Sequence, residues 1–155
     1  MLTESQLTEQ IGKITPIGTA IVVISNVVSF AIGSMVGKDH VLNSSNKLIG
    51  VILLIVAAMD IIAGLLVKKK MLEPLLKPQA IENEPVIYQT MIKTMIIIAA
   101  ICAAPAIYGL VAVMAGATAE FLAAFLVISL GGFLFLRLRP RDLKSLVNSQ
   151  FQDRK

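Results

Sequence analysis

Long apolar stretches separated by short polar segments dominate the pattern along this chain. Four such stretches cover residues 15–37, 48–67, 94–115 and 118–138, and almost no charged residue lies within them. A helix rises about 1.5 Å per residue, so about 20 apolar residues are enough to cross a hydrocarbon layer of about 30 Å. The pattern therefore predicts an all-α fold, an integral membrane four-helix bundle.

The connections between the stretches predict how the four spans are arranged. A polar loop of residues 38–47 joins the first two spans, and Gly116 begins a tight turn between the last two. Short connections place consecutive helices antiparallel, which predicts two antiparallel hairpins. Thr15 and Pro16 favour a helix start, because the hydroxyl can cap and proline at the first helical position loses no needed hydrogen bond. The segment after Pro85 could extend the third helix beyond the membrane by about two turns.

The charges divide the chain into an N-terminal segment of residues 1–14, a transmembrane domain of residues 15–138 and a basic tail of residues 139–155. Of the 14 lysine and arginine residues, two lie in the loop of residues 38–47, and the other twelve flank the opposite ends of the spans. Because cytoplasmic segments carry the excess of positive charge, we predict a plasma (inner) membrane protein with both termini in the cytoplasm. The basic residues expected at the membrane surface are Lys68, Lys69, Lys70, Arg137, Arg139 and Arg141.

The tail after Pro140 has two interpretations. Leu143, Leu146, Val147 and Phe151 recur at helical spacing beside basic residues, as in a short helix that lies on an anionic leaflet. The alternative is a charged stop-transfer signal followed by a frayed end. The sequence leaves both open.

The composition agrees with a membrane environment and argues against several classes of function. Hydrophobic residues make up 56% of the chain and its mean hydropathy is +0.81, whereas soluble domains are about 45–50% apolar. The one cysteine, Cys102, excludes an intramolecular disulfide and a zinc site built from thiolates. The sequence contains no glycine-rich phosphate loop, His-Glu-x-x-His motif or nucleophilic serine motif. We therefore predict no enzyme activity, no cofactor, no metal and no nucleic-acid partner, with the lipid bilayer as the immediate surroundings.

Asp60 is an acid near the middle of the second span. An ionised carboxylate at that depth costs roughly 2.5–3.5 kcal/mol, which favours the protonated form. Asn26 lies at the centre of the first span, and antiparallel packing of the first two spans would bring it to the depth of Asp60. This candidate intramembrane polar pair either joins two helices by hydrogen bonding or handles a proton or ion. We favour the structural interpretation, because no lysine, arginine or histidine lies deep in a span to complete a relay.

Small residues recur along one side of the first and third spans. Such stripes let two helix backbones approach closely, which is how helices associate in lipid. They predict packing within the bundle, self-association or both, and leave open a homo-oligomer or a membrane-protein partner. Pro105, in the middle of the third span, predicts a kink. The helix-packing residues are Ser25, Ser29, Gly33 and Gly37 in the first span and Ala99, Ala103, Ala106 and Gly109 in the third.

The stretch AAPAIYGLVAVMAG, residues 103–116, resembles the ion-carrying helix of subunit c, the rotor-ring proteolipid of rotary ATP synthases. In that family an acidic residue is followed five residues later by tyrosine and then by Gly-Leu-Val, and the sequence from Tyr108 to Val111 matches this tail. The acidic position falls on Ala103, and the glycine-repeat helix of the family is absent. The resemblance implies ion translocation, for which the family uses the acid that this chain lacks. More broadly, the chain resembles small four-span bacterial membrane proteins of unassigned biochemical function, whose last helix ends in arginine and proline.

Two functions of different classes are consistent with these observations. The favoured hypothesis is a non-catalytic interaction or scaffold protein, or an accessory subunit, that self-associates through its first and third spans. The alternative is a small ion or proton conductor, or a subunit of one, in which Asp60 takes and releases a proton with help from Asn26.

Overall fold

The computed structural model describes residues 4–36, 44–73 and 84–139, and four helices account for nearly all of them. The helices are α1 (Glu4–Val36), α2 (Ser44–Leu72), α3 (Glu84–Met114) and α4 (Ala119–Leu136). No strand occurs among the described residues. Three helices are long and apolar enough to cross a membrane, over Thr8–Val36, Leu48–Leu72 and Val86–Met114. The chain is an all-α membrane helical bundle, which confirms the predicted fold class.

The fourth helix is shorter than the other three. Its 18 residues extend about 27 Å, close to the thickness of a hydrocarbon core of about 30 Å. Glu120 lies exposed in its first turn, where a negative charge complements the positive end of the helix dipole. At the other end, the backbone N–H of Arg137 donates to the Phe133 carbonyl oxygen at 2.8 Å and closes the helix.

The first helix begins eleven residues before the predicted span, so the predicted helix start at Thr15 and Pro16 is wrong. The Thr15 hydroxyl donates to the carbonyl oxygen of Ile11 at 2.8 Å, within the helix, and Pro16 lies inside it. The polar N-terminal segment stays helical because Ile11 and Ile14 are buried against the rest of the bundle. Their burial provides a packed face on the N-terminal side of the proline.

The second and third helices also extend beyond the predicted spans. α2 continues through Lys68, Lys69 and Lys70 to Leu72, because consecutive ammonium groups end a hydrocarbon crossing without breaking backbone hydrogen bonds. α3 begins at Glu84, which confirms the predicted helical extension after Pro85. Pro105 lies inside α3 and is buried.

α3 and α4 form the central pair of the bundle, and both α1 and α2 pack on this pair. Burial within the most apolar 18-residue window is 50% in α3, against 22% in α1 and 17% in α2. Along the described residues, α1 and α2 pack far less on each other than either packs on the central pair. The small side chains of α3 explain this arrangement, since they let the flanking helices approach α3 from two sides.

Close contacts at glycines define the helix directions. Gly18 of α1 lies beside Phe133 of α4, and Gly33 lies beside Leu122. Residue numbers rise along α1 as they fall along α4, so these two helices are antiparallel. Gly109 of α3 lies beside Leu122 as well, in keeping with the tight α3–α4 connection. α1 and α3 therefore run in the same direction.

The second helix runs parallel to the fourth. Gly50 lies beside Phe121, and Gly64 lies beside Leu136, so numbers rise together along α2 and α4. α1 and α2 are therefore antiparallel, as predicted for the first hairpin. α3 and α4 lie between them, so the two helices are not direct neighbours. The N-terminal ends of α1 and α3 lie at the same end of the bundle as the C-terminal ends of α2 and α4.

The turn between α3 and α4 depends on a glycine. Gly116 has a φ of 89°, in the left-handed region that favours this residue. Its N–H donates to the Val113 carbonyl oxygen at 2.9 Å, and the Ala117 N–H donates to the Ala112 carbonyl oxygen at 2.9 Å. This pair of hydrogen bonds is the Schellman arrangement that ends a helix. The predicted tight turn is confirmed.

Candidate functional site

Two hydrogen-bonded pairs of polar side chains lie between helices in the interior of the spans. The first joins Asn26 of α1 to Ser129 of α4. Asn26 Nδ2 donates to Ser129 Oγ at 2.7 Å and to the Val22 carbonyl oxygen at 2.7 Å. Asn26 is 7% exposed and Ser129 is 0% exposed. This pair therefore joins a flanking helix to the central pair in a sealed part of the bundle.

The amide orientation of Asn26 follows from these contacts. The side-chain atom next to the Val22 carbonyl oxygen has to be the donor, because two acceptors would repel each other. Asn26 Oδ1 is then buried and has no hydrogen-bond partner among the described residues. An unpaired buried acceptor destabilises the folded state. The hydrogen-bonding capacity of the Asn26 side chain is thus only partly satisfied.

The second pair joins Asp60 of α2 to Tyr108 of α3. Tyr108 Oη donates to Asp60 Oδ2 at 2.8 Å. Both residues are half-buried, so this hydrogen bond lies at the edge of the α2–α3 interface. Within the described part of the chain, it is the one hydrogen bond that the Asp60 carboxyl makes.

The predicted pairing of Asn26 with Asp60 is wrong, because each residue bonds to a different partner. The depth was close to the prediction. Ile61 lies beside Gly132, and Ser129 is three residues, or about 4.5 Å of helix rise, from Gly132. The lateral placement differs, because α1 and α2 pack mainly on the central pair.

Sequence reasoning missed both of the actual partners. Ser129 is the one polar residue in the middle of α4, which is a detectable signal. Tyr108 carries a hydroxyl within an apolar span and was noted for its place in the stretch that resembles subunit c. Its acceptor, Asp60, lies on another helix, while Ala103, at the acidic position of that family, is buried.

The small-residue stripes lie inside the bundle. The position of a Cβ on Gly33 would be 2.6 Å from Leu122 Cδ2, and on Gly109 it would be 2.8 Å from Phe125 Cβ. These approaches show that Gly33 and Gly109 pack closely on α4. The buried members are Ser29, Gly33, Ala99, Ala103, Ala106 and Gly109, Ser25 is half-buried, and Gly37 lies outside the described residues.

The basic residues at the end of α2 and just after α4 lie together at one end of the bundle. Lys68 Nζ donates to the Arg137 carbonyl oxygen at 3.4 Å, which joins the ends of the two helices. Arg139 Nη2 donates to the Leu134 carbonyl oxygen at 3.1 Å. Lys69 and Lys70 are exposed beside them. Arg141 and the proposed tail helix fall outside the described residues.

The interior offers little else for chemistry. Among the described residues, no group of three or more His, Cys, Asp or Glu side chains could hold a metal ion. Phe125, fully buried, belongs to the same core cluster as Tyr108 and lies one helical turn from Ser129. In the same described part, the buried polar side chains are Asn26, Ser29, Thr94 and Ser129. Among the described residues, no side-chain hydrogen bond connects the two pairs.

Comparison of the chain with models of protein families, with curated proteins and with solved structures finds no match. The resemblance of residues 103–116 to subunit c therefore stays a prediction from the sequence. The geometry of the two polar pairs is the remaining basis for a functional interpretation.

Proposed function

We propose that this chain is a non-catalytic membrane interaction or scaffold protein, or an accessory subunit, in which intramembrane polar groups hold helices together. The observation that supports this most directly is the pairing of the polar side chains. Asn26 joins α1 to α4, and Tyr108 joins α3 to α2, so each flanking helix has one polar link to the central pair. Hydrogen bonds of this kind between membrane helices contribute about 0.6 to 2 kcal/mol each.

The contrasting hypothesis, a proton or ion conductor that uses Asp60, requires polar groups in succession across the membrane. The carboxyl of Asp60 bonds to Tyr108, and the cluster on which Tyr108 packs is built from apolar residues of the described chain. Asn26 has no route of polar side chains to this acid among the described residues. The geometry therefore favours the interaction hypothesis, and conduction is the outcome that would overturn it.

We also propose that all four helices cross the plasma (inner) membrane, with both termini in the cytoplasm. Three lines support this topology. α4 is about 27 Å long, which approaches the thickness of the hydrocarbon core. It returns from a tight turn antiparallel to α3. The described basic residues at the end of α2 and just after α4 lie at the same end of the bundle, as the positive-inside rule requires of one cytoplasmic face.

Ion flux into liposomes tests the proposed function. We expect purified wild-type protein and Asp60→Asn to show the same background flux of protons and of sodium as protein-free liposomes. An added ionophore, which must produce a full signal in each preparation, controls for intact vesicles. Flux that is present in the wild type and disappears in Asp60→Asn would overturn the interaction hypothesis and identify a conductor.

A further inference from the structure

Asp60 lies where the α2–α3 interface meets the lipid-facing surface of the bundle. Val56, one turn before it on α2, is exposed, and so is Ala63, about one turn after it. Met59, the preceding residue, is 63% exposed. The half-buried carboxyl is therefore surrounded on one side by apolar side chains that point away from the bundle.

Among the described residues, one oxygen of the Asp60 carboxyl has a hydrogen-bond partner and the other has none. In its neutral form a carboxylic acid has one O–H donor in addition to its acceptors. Tyr108 donates to Oδ2, while the described residues supply nothing to the other oxygen. Lipid tails contain no hydrogen-bonding group either. Among the described residues this capacity is unused, so it is open to a group on another molecule.

We propose that Asp60 pairs with Asp60 of a second copy of this chain, in a two-fold symmetric dimer formed by the lipid-facing side of α2 next to α3. This inference rests on the proposed interaction function and names the partner. A neutral carboxylic acid is self-complementary, because each O–H donates to an oxygen of the other acid. Copies that insert in the same orientation carry Asp60 at the same depth, so a two-fold axis along the membrane normal brings the two acids together.

The exposed apolar side chains of α1 and α4 that the structure describes need no hydrogen-bond partner. Ile24 of α1 and Val127 of α4 are exposed, but lipid covers such apolar side chains as well as a protein does. In the small-residue stripe of α1, Ser29 and Gly33 are buried inside the bundle, and Gly33 packs on Leu122. Ala63, in contrast, is small and exposed one turn from Asp60, so the two copies of α2 can approach closely there.

Disulfide cross-linking in liposomes tests this dimer. Cys102 is 0% exposed and is replaced by alanine in the background variant. In that background, we expect Ala63→Cys to form a disulfide-linked dimer on oxidation. Leu134→Cys is the matched control. It is exposed on α4 at a similar depth, because Ile61 lies beside Gly132 and Leu134 follows two residues later.

Substitutions of the acid separate hydrogen bonding from general packing. Asp60→Leu should reduce the Ala63→Cys cross-link about tenfold, because it removes both donor and acceptor. Asp60→Asn should keep most of the cross-link, since an amide is also self-complementary. Tyr108→Phe removes the hydrogen bond within the chain but not the acid, so it should retain the cross-link. Thermal unfolding of each variant separates loss of the dimer from loss of the fold.

Four outcomes would overturn the dimer. They are absence of cross-linking at Ala63→Cys, equal cross-linking at Leu134→Cys, an unchanged cross-link in a folded Asp60→Leu variant, and cross-linking in cells to a different membrane protein alone. The last would identify a heterologous partner. Ion flux that depends on Asp60 would overturn the proposed function instead, and a monomer without flux would overturn the dimer while leaving the interaction hypothesis in place.

Discussion

The two flanking helices pack on the same central pair, yet their polar hydrogen bonds have different surroundings. The α1–α4 interface encloses Asn26 and Ser129 almost completely. The α2–α3 interface leaves Asp60 and Tyr108 half-buried at its edge. Both interfaces hold a side-chain hydrogen bond of similar length, 2.7 Å and 2.8 Å, so burial and not bond geometry distinguishes them.

This difference determines what each unsatisfied atom can do. Asn26 Oδ1 is sealed inside, so its missing hydrogen bond reduces the stability of this chain alone. The second oxygen of Asp60 belongs to a half-buried side chain, so another molecule in the membrane can satisfy it. A polar side chain that is fully enclosed between helices therefore affects only the folding of this chain. A half-buried polar side chain can also form a hydrogen bond with another molecule.

Exchanging the two residue types should have the largest effect. In Asn26→Asp at most one O–H replaces the two N–H donors of Nδ2, so the Val22 carbonyl oxygen and Ser129 Oγ cannot both keep a donor from residue 26. We expect the free energy of unfolding to fall by about 3 kcal/mol. The reverse exchange, Asp60→Asn, keeps an acceptor for Tyr108 and should change stability by less than about 0.5 kcal/mol. Unfolding by sodium dodecyl sulfate in mixed micelles, followed by circular dichroism, measures both, and equal losses would contradict the comparison.

A methyl group added between α3 and α4 tests the packing of the central pair, on which both flanking helices lie. A Cβ on Gly109 would lie 2.8 Å from Phe125 Cβ, and Phe125 is fully buried, so α3 and α4 have to separate. We expect Gly109→Ala to lower the free energy of unfolding by about 1–3 kcal/mol. Gly131 of α4 has no atom within 4 Å of its Cβ position. Gly131→Ala is the matched control and should stabilise the helix by about 0.5–1 kcal/mol. A loss in both variants would point to helix distortion instead of interhelical contact.

Features that depend on neighbouring residues alone could be predicted from the sequence. The apolar stretch of residues 94–115 and the turn at Gly116 are of this kind, because hydropathy and left-handed backbone preference are local properties. Helix ends were harder to predict, since the end of a hydrocarbon crossing is not the end of a helix. Lys68 and its two neighbours remain helical, and Pro16 lies inside α1.

The partners of the polar residues could not be predicted in the same way. Helix rise gives the depth of Asp60 and of Asn26, but their partners depend on which helices are adjacent. Which helices are adjacent depends on how their surfaces fit together, as at Gly109, where α3 and α4 approach closely. The prediction assumed that helices consecutive in sequence share an interface, whereas α3 separates the first two spans by packing on both.

Removing one hydroxyl oxygen from each hydrogen-bonded pair should have the smallest effects on the free energy of unfolding. It is also the most direct comparison of the α1–α4 and α2–α3 interfaces. Ser129→Ala removes the acceptor of Asn26 in a sealed interface, and we expect a loss of about 1 kcal/mol in the free energy of unfolding. Tyr108→Phe removes the donor to half-buried Asp60, and the loss should be about 0.6 kcal/mol or less. The same unfolding titration measures both at fixed detergent composition. A larger loss for Tyr108→Phe would mean that the α2–α3 interface is as closed as the α1–α4 interface, and the second oxygen of Asp60 would then have no path to another molecule.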